Sequence, residues 1–503
     1  MCLSGQNYEY DAKWAAEDYG LTMGRFVILG EMGNGWLWMM PAEKSEPLAQ
    51  DYIDDMIEAL TKPLTKKEAK PKQAKKGDYS SIKVDADSYG ELVAEVNRIF
   101  GENKWTDGLG IVPPTREAVD WMLTGTSRSP DEYLATFEPR FGKATVEKVA
   151  INAVMAGALP EYLPVLIAGV EAMGYPEHRS IHYTAHNFGA SVIVSGPIVD
   201  ELGMNGLQYY LSSGNQATNT IGRAMNLCRI NFGHLEIGKN EMSGGMIHGM
   251  YTGTTYAEAY KESPWPAFHV AQGFDQEDSC VTVSHVNGPP TATGGYQYSQ
   301  TTIGGYMTTE EKIAQILEMT TKWREGAFSL PGVTRRDEDS PWEPLPWPSA
   351  IFTHHFNGYM IALSPDAAQE LVDMGFETQE DLQQFFWEST LVPCSDLTEA
   401  EKESIAMRVE YTERGFGWML ESDFIPEEQL PMWKQCVEKG TGHVPYAYAP
   451  EAVKFIVCGP ARTERMSPIV PAVEYWRDGK EVYGQNQVMT KKIHGATLTK
   501  AGR

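Results

Sequence analysis

The chain has 503 residues, 42% apolar and 22% charged, too long for one ordinary core and too apolar to be disordered, so two or three folded domains are expected. With 42 Lys and Arg against 68 Asp and Glu, the formal net charge of −26 repels nucleic acid and anionic membranes and excludes both as expected partners. The opening MCLSGQNYEYDAKWAAEDYG lacks the basic and apolar regions of a signal peptide, and no run reaches the roughly 18 apolar residues of a membrane helix, so a cytoplasmic protein is expected.

Residues 1–61 form a small N-terminal segment rich in aromatic residues and Met, in which GRFVILGEMGNGWLWMM reads as two strands around a Gly-Asn-Gly turn. Residues 62–80 are a Lys-rich linker: KPLTKKEAKPKQAKK sets seven lysines against one glutamate. An α/β domain is expected over 81–330 and a second α/β region, closing a cleft, over 331–503.

Within the first domain, TVEKVAINAVMAGALPEYLPVLIAGVEAMG opens with Thr145 as N-cap and Glu147 in the first turn. Gly157 and Pro160 divide it into two helices, and Gly174 ends the second. SVIVSGP (191–197) reads as a buried strand, TNTIGRAMNLCRINFG as a helix and DSCVTVSHVNG (278–288) as a strand. TTEEKIAQILEMTTKW carries Thr308 and Glu311 in capping-box spacing, and Asn357-Gly358 signals a hairpin. Ser364-Pro365 then starts a helix, and EAVKFIVCGPAR (451–462) is a strand running into a turn. Strands alternating with helices predict an α/β fold with mostly parallel sheets flanked by helices, in a two-domain body with a small N-terminal extension. Ligands of such sheets sit beyond the carboxyl ends of strands.

Three histidines stand four apart in HRSIHYTAH: His178, His182 and His186. On a helix they would share a face about 6 Å apart and could hold a metal. On a strand four residues span about 13 Å, too far for one ion. The β-branched and aromatic neighbours favour the strand, leaving His186 as a single candidate acid–base group. The adjacent pair His354 and His355 would face opposite sides of a strand, and His248 lies in a Gly/Met-rich loop.

In SSGNQATNTIGR (212–223), Ser213, Asn219 and Thr220 lead into a helix whose N-terminus could hold a carboxylate with Arg223. Glu147 and Lys148, with Asn152, could do acid–base work if buried together; the alternative is a solvated helix start. Cys458, with Arg462 close by, is either a nucleophile or a buried core thiol. The Gly/Thr-rich stretch 284–306, with His285 at its root, reads as a binding loop or a surface loop. Cys2 would become N-terminal if Met1 were removed, but Leu3-Ser4-Gly5 does not continue the Met-Cys-Gly start of N-terminal cysteine amidohydrolases. The six cysteines are scattered without a CxxC, so free thiols are expected.

VPPTREAV, TVEKVAINAVMAGALPEYLPVLIAGVEAM, TAHNFGASVIVSGPI, TIGRAMNL, FDQEDSCVTV and VCGPAR occur in this order over about residues 108–495. Together they resemble the large region of bacterial UGSC-family proteins, without the Cys/selenocysteine-Gly-Ser-Cys motif that names the family. The resemblance implies an enzyme-like α/β protein with an association to sulfur chemistry. It also draws attention to Glu147, Lys148, Asn152, His186 and Arg223, which fall within the matched segments.

The expected protein is a lyase or hydrolase acting on a small polar, carboxylate-bearing substrate by acid–base elimination or hydrolysis, with a carbon–sulfur bond as one target. The cofactor is open, a transition metal being one candidate, and a homo-oligomer is expected. Two alternatives stand beside it: a non-catalytic assembly protein docking through its N-terminal segment, and a thiol redox protein using Cys458.

Overall fold

The computed structural model describes residues 25–28, 50–66, 81–175, 188–208, 214–236, 255–287, 359–389, 391–397, 429–444, 450–459, 466–469 and 488–497, the strand at 2–4, and isolated positions between 12 and 16, at 68 and 210, and between 402 and 425. The N-terminal segment pairs β1 (Cys2–Ser4) in parallel with β2 (Phe26–Ile28) and adds helix α1 (Ile53–Thr61). Arg25 anchors that helix to the start of the Lys-rich stretch. Its guanidinium donates to Glu68 at 2.9 Å and to the carbonyls of Ala59, Lys62 and Pro63. This pairing holds the Glu68 carboxyl well below its usual range, at about 2. The expected linker is thus fixed at its first turns.

Helices α2 (Tyr89–Glu102) and α3 (Arg116–Leu123) lead into the hairpin β3 (Tyr133–Phe137) and β4 (Gly142–Thr145). The Thr145 side chain accepts from the Lys148 N–H and starts α4 (Val146–Ala156), which Gly157 ends in a left-handed conformation at φ 78°. Pro160 opens the turn before α5 (Leu163–Met173), whose residues are all buried except Glu171. A helix apolar on every side belongs in a core. Strand β5 (Phe188–Ser195) and the short helix α6 (Ile198–Leu202) follow, then α7 (Gln216–Gly233).

Strand β6 (Thr255–Ala257), helix α8 (Phe268–Ala271) and strand β7 (Cys280–Asn287) complete this half. The second half starts at β8 (Tyr359–Leu363), and Ser364 caps α9 (Pro365–Asp373) by accepting from the Ala367 N–H. Then come α10 (Gln379–Ser389), β9 (Val392–Pro393), α11 (Leu430–Lys439), β10 (His443–Val444), β11 (Val453–Val457), β12 (Met466–Ile469) and β13 (Val488–Lys492).

Two sheets dominate, in the orders β13-β7-β5-β6 and β11-β8-β12. The parallel pairs are β5/β6, β8/β11 and β1/β2; the other five described pairings, β5/β7, β7/β13, β8/β12, β3/β4 and β9/β10, are antiparallel. Where the described residues cover them, the expected helices and strands form, but the sheets are mixed rather than mostly parallel. Antiparallel strands flank the parallel pair on one side of each large sheet. One backbone bond, from the Ala259 N–H to the Val457 carbonyl at 2.8 Å, carries the ladder from the end of β6 to β11.

The larger core joins α2, α3, α4, α5 and α7 to Val192, Val194, Val281 and Val283 of the first sheet. A second core gathers α9, α10, α11 and β11. In it Cys394 and Cys436 are paired as a disulfide with Cα atoms 5.7 Å apart. This corrects the expectation of free thiols throughout: cysteines 42 residues apart in sequence are brought together by packing. Cys228, Cys280 and Cys458 are free and buried. Among the described residues no helix is long and apolar enough to cross a membrane. The Thr308–Glu311 capping box, the Asn357-Gly358 hairpin and the Trp36–Met40 run lie outside the described residues.

Candidate functional site

A strand sends alternate side chains to opposite faces. On β5 and β7 the valines take one face, against α4, α5 and α7. The other face carries Ser191 opposite Ser284, Ile193 opposite Thr282 and Ser195 opposite Cys280. All six are at most 1% exposed. Thr282 and Thr490 of β13 share a hydroxyl–hydroxyl bond at 2.8 Å. Tyr256 of β6 stands beside Ile193, and Glu258, two residues on, continues that face past the strand's carboxyl end. Buried polar groups require partners, so a buried face of this composition is a departure from the valine rule.

Glu258 is the centre of it. The residue is 1% exposed, and its Oε1 accepts from the Phe268 N–H at 2.8 Å, where α8 begins. Among the described residues Oε2 has no partner at ordinary hydrogen-bond geometry, and the Ser195 hydroxyl beside it, likewise without one, is the polar group near enough to favour its charged form. Burial pushes the Glu258 carboxyl up to about 7, and the Phe268 N–H and Ser195 only partly offset that. Near neutral pH it is therefore poised to give or take a proton.

The backbone around Glu258 is held from both sides. Its N–H donates to the Val194 carbonyl at 2.9 Å. Two residues further, the Tyr260 hydroxyl donates to Asp200 at 2.5 Å and Lys261 pairs with the same carboxylate at 2.7 Å. Gly206 crosses so closely that a Cβ there would lie 2.8 Å from the Ala259 nitrogen and from the Glu258 carbonyl group. The Gly206 carbonyl accepts from Gly459 at 2.8 Å, which ties the segment leading to Tyr210 onto the end of β11.

There the Tyr210 hydroxyl lies beside the Cys458 thiol, and the Tyr210 and Tyr256 rings meet edge to face at 5.8 Å. Cys458 is 3% exposed, and burial pushes its thiol up, with the nearby Glu258 carboxylate adding to the shift. Tyr210 and Tyr256 are likewise pushed up by burial. The Tyr256 hydroxyl lies 3.5 Å from the Met360 sulfur and 3.5 Å from the Ser191 hydroxyl. The set is a carboxyl that loses its proton only near pH 7, a protonated thiol, two phenols and two serines on β5, β6 and β11 and at their ends.

The candidates read from the sequence fall in several places. Cys458 belongs to this cluster, as a buried protonated thiol. Glu147 and Lys148 do not share a buried site: Glu147 pairs with Arg116, and Lys148 is exposed and donates to the Lys143 carbonyl at 2.8 Å. Asn152 is buried and bridges helices, donating to the Lys148 carbonyl and accepting from Asn231 at 2.7 Å. Arg223 is engaged by Asp107 at 2.9 and 3.1 Å and by the Gly110 carbonyl at 2.8 Å. The α7 N-terminus is closed by Asn215, which accepts from the Thr218 N–H and hydroxyl. Arg223 is thus already paired with a carboxylate of the chain, and one N–H of the first turn is capped.

Thr220 bonds to the Gln216 carbonyl of its own helix, while the Asn219 Oδ1 is buried and has no partner among the described residues. His285 lies in β7, paired with Ala190. His186, Ser213 and Arg462 lie outside the described residues, as do His178, His182, His248, His354 and His355. Among the described residues no three His, Cys, Asp or Glu side chains are grouped to hold a metal.

Glu258, Ser195, Tyr210 and Tyr256 were not legible as site residues. The one signal was a charge inside an otherwise apolar and aromatic run, TTYAEAY (254–260). A comparison with family models, with curated proteins and with solved structures finds no match to this chain.

Proposed function

We propose that this protein is an enzyme in which Glu258 transfers a proton during elimination or hydrolysis of a small polar substrate. The observation that carries it is the buried carboxyl whose Oε2 is unpartnered among the described residues and whose proton is held to about pH 7. Tyr210, Cys458 and Ser195 are the groups placed to bind or orient the substrate at the strand ends. The pairing of Arg223 with Asp107 weighs against a substrate carboxylate there, so the substrate class is taken as polar and uncharged. A carbon–sulfur bond as target, and membership of a UGSC-like group over 108–495, rest on the sequence resemblance alone.

The cores around α4–α5–α7 and around α9–α10–α11 support a two-domain body, joined by the Ala259–Val457 bond and by a third cluster that packs Ile193, Tyr256 and Phe268 against Met360, Ala362 and Ile456. Its second part would exclude β13, which pairs with β7 in the first. The free thiols of Cys228, Cys280 and Cys458 are in keeping with a cytoplasmic location, whereas the Cys394–Cys436 disulfide weighs against it.

The test is a turnover screen of small amides, esters, thioethers and hydroxy compounds, followed by mass spectrometry, with wild type and Glu258→Gln in parallel. A converted compound whose rate falls about 10²- to 10⁴-fold in Glu258→Gln, with unchanged circular dichroism, supports the reading. Equal turnover by the two proteins overturns it.

A second reading has one observation in its favour. On α1 and just beyond it, Ile57, Leu60 and Leu64 are 51%, 67% and 65% exposed, an apolar stripe on an amphipathic helix. This supports docking of the N-terminal segment on a partner or on a second copy. Under that reading Ile57→Lys with Leu60→Lys changes the sedimentation behaviour and leaves any turnover intact.

A further inference from the structure

Helix α11 is ten residues long and buries only two of its side chains, Trp433 and Cys436. A short helix owes its stability mainly to its packed apolar face, so a face this narrow gives α11 little hold on the core. One of its two anchors is covalent. Cys436 is joined to Cys394, the residue that follows β9. The backbone ties nearby are few: β9 and β10 pair over two residues each, and the Cys394 N–H donates to the Gly442 carbonyl at 3.0 Å. The disulfide also closes a ring of chain that brings Leu397, Ile405, Val409 and Ile425 into the same core. The bond lies shallow. Both half-cystines are buried, but Ser395 and Asp396 beside one and Gln435 and Val437 beside the other are exposed. Lifting the last turn of α11 brings a reductant to the sulfurs. Cys228, Cys280 and Cys458 stay free in the same fold, so among the described cysteines pairing is confined to this one place.

We propose that Cys394 and Cys436 form a reversible dithiol–disulfide switch that fastens α11 to the second core. A dithiol reductant attacks one of the two sulfurs as its thiolate. The S–S bond breaks, the departing cysteine sulfur takes up a proton, and a mixed disulfide remains on the other. The second thiol of the reductant then displaces that cysteine and takes its place in the new S–S bond. Two electrons have passed to the protein, which now carries two thiols, and the reductant leaves as a disulfide. Reduction opens the ring and leaves α11 held by Trp433 and by the partly packed Leu430. The helix then comes away from the core and bares Trp433. A disulfide oxidant runs the same exchange backwards. The switch makes no use of Glu258 and does not rest on the reading given above.

The experiment is limited trypsin digestion of the native full chain as oxidised by glutathione disulfide, after reduction by dithiothreitol, and after reoxidation. Alkylation and peptide mapping of each sample report the state of Cys394 and Cys436. Reduction is expected to speed cleavage after Lys434, in the middle of α11, at least about tenfold, because the cut needs the helix open. Cleavage after the exposed Lys104 serves as the control and is expected to stay the same. Reoxidation is expected to restore both the bond and the resistance. A chain with Cys394→Ser and Cys436→Ser is expected to be cut after Lys434 at the reduced rate, with or without dithiothreitol. The proposal is overturned if glutathione disulfide leaves both thiols open to alkylation, if the bond survives dithiothreitol in the native chain, or if cleavage after Lys434 is the same in both states. An equal acceleration by dithiothreitol in the double variant also overturns it, since the reductant would then act elsewhere. The redox cycle of the wild type decides the matter even where the double variant does not fold.

Discussion

On one face of β5 and β7, Val192, Val194, Val281 and Val283 meet three helices; on the other, Ser191, Ser195, Cys280, Thr282 and Ser284 stand at the same depth. Both faces are dry, yet only the first follows the rule that buried strands are apolar. The apolar face obtains its stability from close packing, where each buried branched side chain contributes about 1.5–3 kcal/mol. The polar face forgoes part of that and, among the described residues, leaves Glu258 Oε2 and the Ser195 hydroxyl without ordinary hydrogen-bond partners. An unpaired buried polar atom costs about 1–3 kcal/mol, so the second face carries a penalty that packing alone would have removed. Such a penalty at strand ends is where chemistry is expected to reside.

The sharpest way to break this comparison is to exchange a carboxyl between the faces. Val194 is fully buried in the apolar core, one residue before Ser195. Val194→Glu places a carboxyl where no donor awaits it, and the loss should exceed about 4 kcal/mol in urea denaturation. Glu258→Leu removes the orphaned oxygen but also the acceptor of the Phe268 N–H, so the two changes nearly cancel, to within about 1 kcal/mol. Comparable losses from both substitutions would show that the two faces are not different in kind.

Next in size is a dependence on pH. The Glu258 carboxyl is raised in the folded protein to about 7, from about 4.3 when unfolded. Between those values the folded state holds a proton that the unfolded state has lost. Stability contributed by this group is therefore complete below about pH 4 and falls as pH rises to about 7, levelling above it. The fall is on the order of 3 kcal/mol. Asp107 and Asp200, whose carboxyls are lowered by Arg223 and by Lys261 with Tyr260, act in the opposite direction at more acidic pH. The clean measurement is thus the difference between wild type and Glu258→Gln at pH 5 and pH 8. A difference that does not change with pH would mean that the carboxyl is not held protonated.

Local rules made much of the scaffold readable. Thr145, Gly157, Pro160 and the Ser364-Pro365 pair fixed helix ends, because a cap or a missing N–H acts within a few residues. The strands at 188–195, 280–287 and 453–457 followed from their branched residues. What escaped depends on distant partners. Arg223 looked free in its own helix, but its carboxylate is Asp107, 116 positions earlier. Strand direction was misjudged because β7 and β13, more than two hundred residues apart, meet as antiparallel neighbours. Glu258 stood in a run that gave no reason to expect Phe268 or Ser195 at its side.

The smallest expected effect concerns Glu147 and Lys148, the acid–base pair the sequence suggested. Glu147 keeps about 38% of its side chain exposed and pairs with Arg116, itself 60% exposed. Exposed ion pairs are worth roughly 0–1 kcal/mol. Lys148 gives a backbone carbonyl one bond from an exposed position, so its loss is of the same small order. Glu147→Gln and Lys148→Ala should each shift stability by no more than about 0.5 kcal/mol and leave turnover of any substrate found for the Glu258 site unchanged. The charge at the start of α4 still favours Glu147 through the helix dipole, which sets the sign of its small loss. A large drop in turnover on either substitution would move the chemistry away from the polar sheet face and back to this helix start.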